Sequence, residues 1–418
     1  MVLADAPLPA SAELKTLGLS MAWTGRGAVD PGRDRAVFLT ADESNVYLQS
    51  DSGVLSAFDA ESGRPLWSAL LGLPDQVSYA VNSNQSELVL AVGMHLYSVN
   101  KFTGKTLWVL QLSEHPSTTP EIDEDNVYIG TTDGSVFAYD LRKIRKLHLD
   151  NRLPAYSHVA LLWRYKAASE IKSPPLVTGR TLNFATSRGT LASVGAGDRK
   201  LNFEFETDAA ISTPVAVGQG TLFVSAEDSR MYALNQTNGQ VKWKFISEHP
   251  IQEQPRIIGD VLYVSPRLSG LYCLCVTTGK QVWHQREANR FLGATQTAVY
   301  SIDNLGRLAR LDRSTGKSMG RMSMRGYTTN VSNDRTDRLY LATPEGTIVC
   351  LKELNTTQPT FHRYPERRPI LPELAPDEPV AAEGADPQEM PEGTDSTETK
   401  PTKVTTPSTN PCISKIVE

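Results

Sequence analysis

No run in the 418 residues approaches the eighteen apolar residues that a membrane-spanning helix requires, so no helical span is expected. Cysteine is scarce: Cys273, Cys275, Cys350 and Cys412 are too few for a disulfide framework. Cys273 and Cys275 alternate on one strand and point to the same face, a poor geometry for a bridge. Their C-x-C lacks the two-residue spacer and the second pair that a zinc site wants, and the cysteines read as small apolar fillers. An excess of basic charge is also missing. The net charge of −5 comes from the end of the chain: from Glu366 onward there are eleven acidic and five basic residues, which leaves 36 acidic against 37 basic before it. A near-neutral body carries no electrostatic footprint for nucleic acid. Neither a Gly-rich phosphate loop, nor H-E-x-x-H, nor a Ser-His-Asp arrangement stands out. The first eighteen residues have no basic n-region and no long apolar core, so they do not read as an intact signal peptide. Either the protein is cytoplasmic or the numbering starts at a mature or trimmed end.

What the chain does have is a repeated frame, A-x-D-x-x-x-G-x-x-x-W. It appears as Ala57, Asp59, Gly63, Trp67 and returns as Ser98, Asn100, Gly104, Trp108 and as Ala233, Asn235, Gly239, Trp243. A further copy has Cys275 in the Asp place, followed by Gly279 and Trp283. Two short apolar runs joined by a turn precede each frame, as in VYIGTTDGSVFAYD, where Asp133-Gly134 is a strong hairpin signal. Asp or Asn then opens a second tight turn by accepting backbone N–H groups, and Gly closes it. Each unit therefore holds four antiparallel strands, a to d, with Trp on d. A single sheet of this kind cannot cover its own faces, whereas a closed ring of them leaves no unit exposed at an end.

The Trp places fall at Trp67, Trp108, Trp163, Phe203, Trp243, Trp283 and Gly320, near forty residues apart. The seventh unit keeps Asp312 and Gly316 but has lost its Trp. An eighth set of strands runs from about Tyr327 to Leu354 and has no d strand. Trp23, in the orphan segment LSMAWTG, precedes the first unit by one repeat length. Residues 19–24 are therefore expected to supply the missing strand, closing an all-β, eight-bladed propeller over 19–354. Residues 1–18 read as a flexible leader and 355–418 as a disordered tail. A buried Trp removes roughly 150–250 Å² from water. The frame residues, Asp140 and Trp163 included, thus have an architectural job.

The frame resembles the repeat of the pyrroloquinoline-quinone-type (PQQ-like) β-propellers. An eight-bladed ring of this length is similar to the propeller lipoprotein subunit of the bacterial outer-membrane β-barrel assembly machinery. That resemblance implies a non-catalytic, monomeric protein-binding scaffold of the periplasm or cell envelope, with envelope or membrane proteins as partners and no cofactor. It also favours export over a cytoplasmic location. The fold alone does not fix function, because quinoprotein dehydrogenases share it. Such an enzyme needs a calcium ion held by oxygen ligands, a catalytic carboxylate and long loops roofing the cofactor. The alcohol-oxidising members also carry an adjacent Cys-Cys pair. This sequence has no Cys-Cys, no C-x-x-C-H and no long roofing insertion. A third class is a small-molecule or glycan sensor using the central channel, for which the sequence does not show which polar residues converge.

Along the chain, one unit breaks the rhythm. After Asp140 the turn is replaced by LRKIRKLHLDNRLPAYSHVALLWRYK, in which Arg142, Lys143, Arg145, Lys146 and Arg152 alternate with Leu141, Ile144, Leu147 and Leu149. The spacing predicts a short amphipathic helix limited by Pro154. A basic helix of this kind docks an acidic partner or a membrane surface, or else folds against its own blade with a solvated charged face. His115 and His249 occupy equivalent loops too far apart to share a metal. Beyond Pro359 the chain turns rich in Pro, Glu, Thr and Ser and loses its aromatics after Tyr364, a composition with too little to bury. FHRYPERRPILPEL is the exception, able to lie along the propeller or to present an extended Pro-rich segment.

Overall fold

The computed structural model describes residues 6–74, 76–361 and 363. Of the tail expected to be disordered, 355–418, residues 355–361 and 363 are described, and the rest lies outside the described residues. Eight four-stranded antiparallel sheets are arranged as the blades of a propeller. Blade one is Ala36–Ala41, Asn45–Ser50, Val54–Asp59 and Pro65–Leu70, and the later blades follow the same a-b-c-d order. The eighth takes its outer strand from the other end of the chain. Leu19–Arg26 pairs antiparallel with Thr347–Glu353, so the ring is closed as expected and Trp23 lies opposite Cys350.

The pairing explains the first letter of the frame. In each of the first six blades a small residue on strand c faces the Trp place on strand d. The pairs are Ala57 with Trp67, Ser98 with Trp108, Ala138 with Trp163, Ser193 with Phe203, Ala233 with Trp243 and Cys273 with Trp283. A β-bulge follows this pair each time, and in blade one it lies between Ala57 and Phe58. A bulge bends the strand and re-aims its side chain. Here it turns the indole toward the next blade. Trp23 donates from Nε1 to the Ala60 carbonyl at 2.9 Å, Trp67 to Lys101 at 3.0 Å, Trp163 to Ala196 at 2.9 Å, Trp243 to Val276 at 3.0 Å and Trp283 to Arg313 at 2.9 Å. Each acceptor is the residue just after the Asp place. That Asp or Asn in turn accepts backbone N–H groups, as Asp59 does from Ser62 at 2.7 Å and Asp312 from Thr315 at 2.8 Å. Gly63, at φ +69°, lies flat under the Trp23 ring, and a Cβ there would collide with it. Trp, Asp and Gly are thus one device, a latch between neighbouring blades. The thiols follow the same logic, since Cys273 and Cys350 are buried in the small places opposite Trp283 and Trp23.

Three seams depart from the latch: between blades four and five Phe203 covers Gly239 without an N–H to donate, and the other two are patched by helices. Blade eight has no c–d turn, because its d strand comes from the N-terminus, so a seventh Trp would find no turn to cap. Its place is Gly320, opposite Arg310. The helix α1 (Ser11–Thr16) packs there instead, with Leu14 and Leu17 each 1% exposed and Leu17 against Gly320. Tyr300 anchors it by donating to the Leu17 carbonyl at 3.2 Å. Residues 6–18 therefore differ from the loose segment expected: Leu14 in a very short helix and Leu17 at its C-cap fill the void left by an absent indole. The second patch is α2 (Leu141–Leu149), which replaces the c–d turn of blade three. Here the Asx chemistry of the frame is reused, because Asp140 caps the helix by accepting from Arg142 and Lys143 N–H at 2.8 and 3.1 Å.

Candidate partner-binding face

In an antiparallel a-b-c-d blade the a–b and c–d turns lie at one end of the ring, and the b–c turns and d–a loops lie at the other. The helix α2 takes a c–d position, so it shares a face with the a–b turns and with one mouth of the central channel. Its apolar side is spent on the fold: Leu141, Ile144 and Leu147 are buried with Trp108 in a single cluster. The carbonyl that would accept from Trp108 belongs to Leu141, the first residue of the helix. Trp108 is deflected and donates to Glu87 Oε2 at 3.1 Å, which also accepts from Ser98 Oγ at 2.8 Å. The other oxygen of Glu87 accepts from Arg145 Nε at 3.0 Å and Nη2 at 2.6 Å. With its side chain 4% exposed, Glu87 is a buried carboxylate that bolts α2 to blade two.

The sequence-predicted basic residues thus divide. Arg145 is committed to Glu87. Arg142 pairs with Asp125 at 2.9 Å, but both side chains are mostly in water, where such a pair is worth about 0–1 kcal/mol. Lys143 and Lys146 stand on the exposed side, and the Arg152 guanidinium lies 4.4 Å over the Tyr156 ring. Leu149, Tyr156 and Val159 remain exposed nearby. The outcome is a basic surface carrying exposed apolar groups, mounted on a rigid blade.

A second group, not foreseen from the sequence, lines the channel. Asp42, in the a–b turn of blade one, accepts from Ser44 and Asn45 N–H at 2.9 Å each and from Tyr47 Oη at 2.8 Å. Lys101 of blade two meets it at 2.9 Å, with both side chains buried. Burial alone would raise the Asp42 carboxyl, but Lys101 and the turn N–H groups together hold it below the usual carboxylate value. Arg335 pairs with Glu43 at 2.6 Å and Arg290 with Glu253, both across blades. Glu121 faces the channel, accepting from Asn82 Nδ2 at 2.5 Å, and burial pushes it up to about 7 against the opposing pull of Arg335. These charges belong to different blades: Glu43 and Arg335 meet only because the ring closes, and the others because consecutive blades pack side by side.

The structure does not bring His115 and His249 together as a site: His249 Nδ1 lies 2.7 Å from Ser269 Oγ within its own blade. Among the described residues no cluster of His, Cys, Asp and Glu could hold a metal ion, and no helix is long and apolar enough to cross a membrane.

The family model described as outer membrane protein assembly factor BamB matches residues 20–148 and 204–356. Three curated proteins of that name are similar. The one from Shewanella oneidensis is 23% identical over 233 residues, covering 52% of this chain and 54% of that protein. That from Moranella endobia is 21% identical over 305 residues, covering 66% and 64%, and that from Legionella pneumophila is 24% identical over 165 residues, covering 39% and 41%. The chain thus spans less than two thirds of the length of each of these relatives. Among solved structures, BamB from Moraxella catarrhalis superposes with a TM-score of 0.63 at 17% identity, over 81% of this chain and 98% of that one. The computationally designed Ika8 protein superposes at 0.61 and 14% identity, over 78% and 99%. At such identities these structures speak for the fold alone.

Proposed function

Because the chain belongs to the family of the outer membrane protein assembly factor BamB, we propose that it is a non-catalytic scaffold, monomeric and facing the periplasm, that binds proteins engaged in outer-membrane protein assembly. The observation that carries this reading is how the residues are used. The Trp, Asp and Gly of the frame are consumed in the seams between blades. The departure from the repeat, α2, instead presents charge to solvent. Lys143 and Lys146 with the exposed Leu149, Tyr156 and Val159 form the contact surface for a partner carrying acidic and apolar groups. Arg142 and Arg152 form its rim, while Arg145 orients the helix from beneath.

Surface charges leave the fold intact when changed, which deleting α2 does not, since Leu141, Ile144 and Leu147 are core residues. A photo-crosslinking amino acid at Lys143 or Lys146 in the native cell is expected to capture an envelope protein, identified by mass spectrometry. The double variant Lys143→Glu, Lys146→Glu is expected to lower co-purification of that protein at least about five-fold with an unchanged melting temperature, because like charges now face each other. Unchanged co-purification of the variant retires α2 as the interface.

A further inference from the structure

After the last strand the described residues stay against the ring. Arg338 Nη2 donates to the Thr357 carbonyl at 3.0 Å. Thr360 then donates to Asp337 Oδ2 twice, from its backbone N–H at 2.9 Å and its hydroxyl at 2.5 Å. Phe361 packs on the apolar cluster shared by blades six and seven. Arg363 N–H donates to the Arg335 carbonyl at 2.8 Å, its Nη2 donates to the Val217 carbonyl of blade five at 3.0 Å, and its guanidinium pairs with Asp334. Residues 356–361 and 363 are thus a strap from blade eight across the channel mouth to blade five.

The ring provides a built seat for this strap. The Asp337 side chain is 0% exposed, and its contact with Arg338 is long, at 3.4 Å, so the two Thr360 bonds are its shortest. A buried carboxylate is costly when its hydrogen bonds are withdrawn. Asp334, 10% exposed, sits under Arg363 and also meets Arg256 at 3.4 Å. Beneath the strap lies a cavity of about 590 Å³. With Arg363 set aside, its charged lining is the carboxylates of Asp123, Glu124 and Asp334, with Glu121 pushed up to about 7 by burial, against the two guanidiniums of Arg256 and Arg335. The excess is acidic.

We propose that this channel mouth is a recognition site for an extended peptide bearing a hydroxyl, an aromatic ring and an arginine in the pattern Thr-Phe-x-Arg, and that the chain's own Thr360, Phe361 and Arg363 are its resident occupant. Each element of the pattern has its receptor: Asp337 for the hydroxyl and N–H, the blade six–seven cluster for the ring, and Asp334 with the Val217 carbonyl for the guanidinium. A cationic extended segment of another protein enters by displacing the strap. The site is separate from the α2 surface and stands or falls without it.

The probe is a fluorescein-labelled synthetic peptide of residues 356–363, titrated by anisotropy into three full-length proteins: wild type, Thr360→Ala with Arg363→Ala, and that double variant carrying Asp334→Ala. The unlatched double variant is expected to bind the peptide at least ten-fold more tightly than wild type, and Asp334→Ala is expected to remove that gain. A chain ending at residue 355 empties the seat without any substitution and is expected to match the double variant. Equal affinity of wild type and both unlatched forms, or no binding by unlatched forms that keep their circular dichroism melt, overturns the proposal.

Discussion

Trp23→Ala is expected to cost about 3–5 kcal/mol in urea unfolding, the range for truncating a well-packed large aromatic. The indole is 7% exposed and lies against Phe58 and Tyr340, with ring centroids at 6.5 and 6.1 Å. It also covers Gly63 and donates to Ala60, so its loss opens a cavity and leaves the Ala60 carbonyl with only the longer bond from Tyr340 Oη, at 3.3 Å. What sets Trp23 apart from the other latch residues is its chain position. The other blades keep their d strand by covalent connection when a latch fails. Strand Leu19–Arg26 is joined to blade eight only by pairing and packing, so the same injury also loosens the closure of the ring. A loss below about 1 kcal/mol would show that Trp23 is not a seam residue.

Asp42→Ala is expected to be comparably damaging, at about 3–5 kcal/mol, and for a different reason. It leaves the Lys101 ammonium, 3% exposed, without its partner, and breaking one half of a buried pair costs far more than the pair is worth. Adding Lys101→Met to Asp42→Ala should therefore restore much of the stability, a non-additivity measured by the double-mutant cycle. Simple additivity of the two losses contradicts the pairing. The acid dependence has a definite sign. The folded carboxyl of Asp42 lies below its ordinary value of 3.8, so its contribution is complete above that value and is lost as pH falls through the depressed one. The variant should lose that component of acid lability.

Why the sequence revealed some of this and not the rest follows from distance along the chain. The latch is legible because Ala57, Asp59, Gly63 and Trp67 lie within one turn and its two strands, and the motif recurs. Ring closure is legible because blade eight lacks a d strand and Trp23 lies one repeat before the first unit. The fate of α2 is half legible: spacing gives the helix and its buried side, but not that Arg145 is held by Glu87, 58 residues earlier. The docking of α1 leaves almost no trace, since one leucine in its six residues and a second at its C-cap make no periodic signal. The channel charges leave none, because Asp42 and Lys101 become neighbours only where two consecutive blades pack, and Glu43 and Arg335 only through the closure itself. The strap is legible only from Phe361 on, as a segment able to lie along the propeller; Thr357 and Thr360, in the stretch expected to be disordered, are instead bonded to Arg338 and Asp337, partners that carry no motif.

The central claim is that the two ends of the sequence meet in one sheet and that the frame residues serve the seams. Native-state hydrogen exchange read by mass spectrometry tests it most directly by comparing the peptide over Leu19–Arg26 with that over Thr347–Glu353. Closure predicts equal, strong protection of both strands and their joint release in Trp23→Ala. Rapid exchange of residues 19–26 beside a protected 347–353 would contradict it.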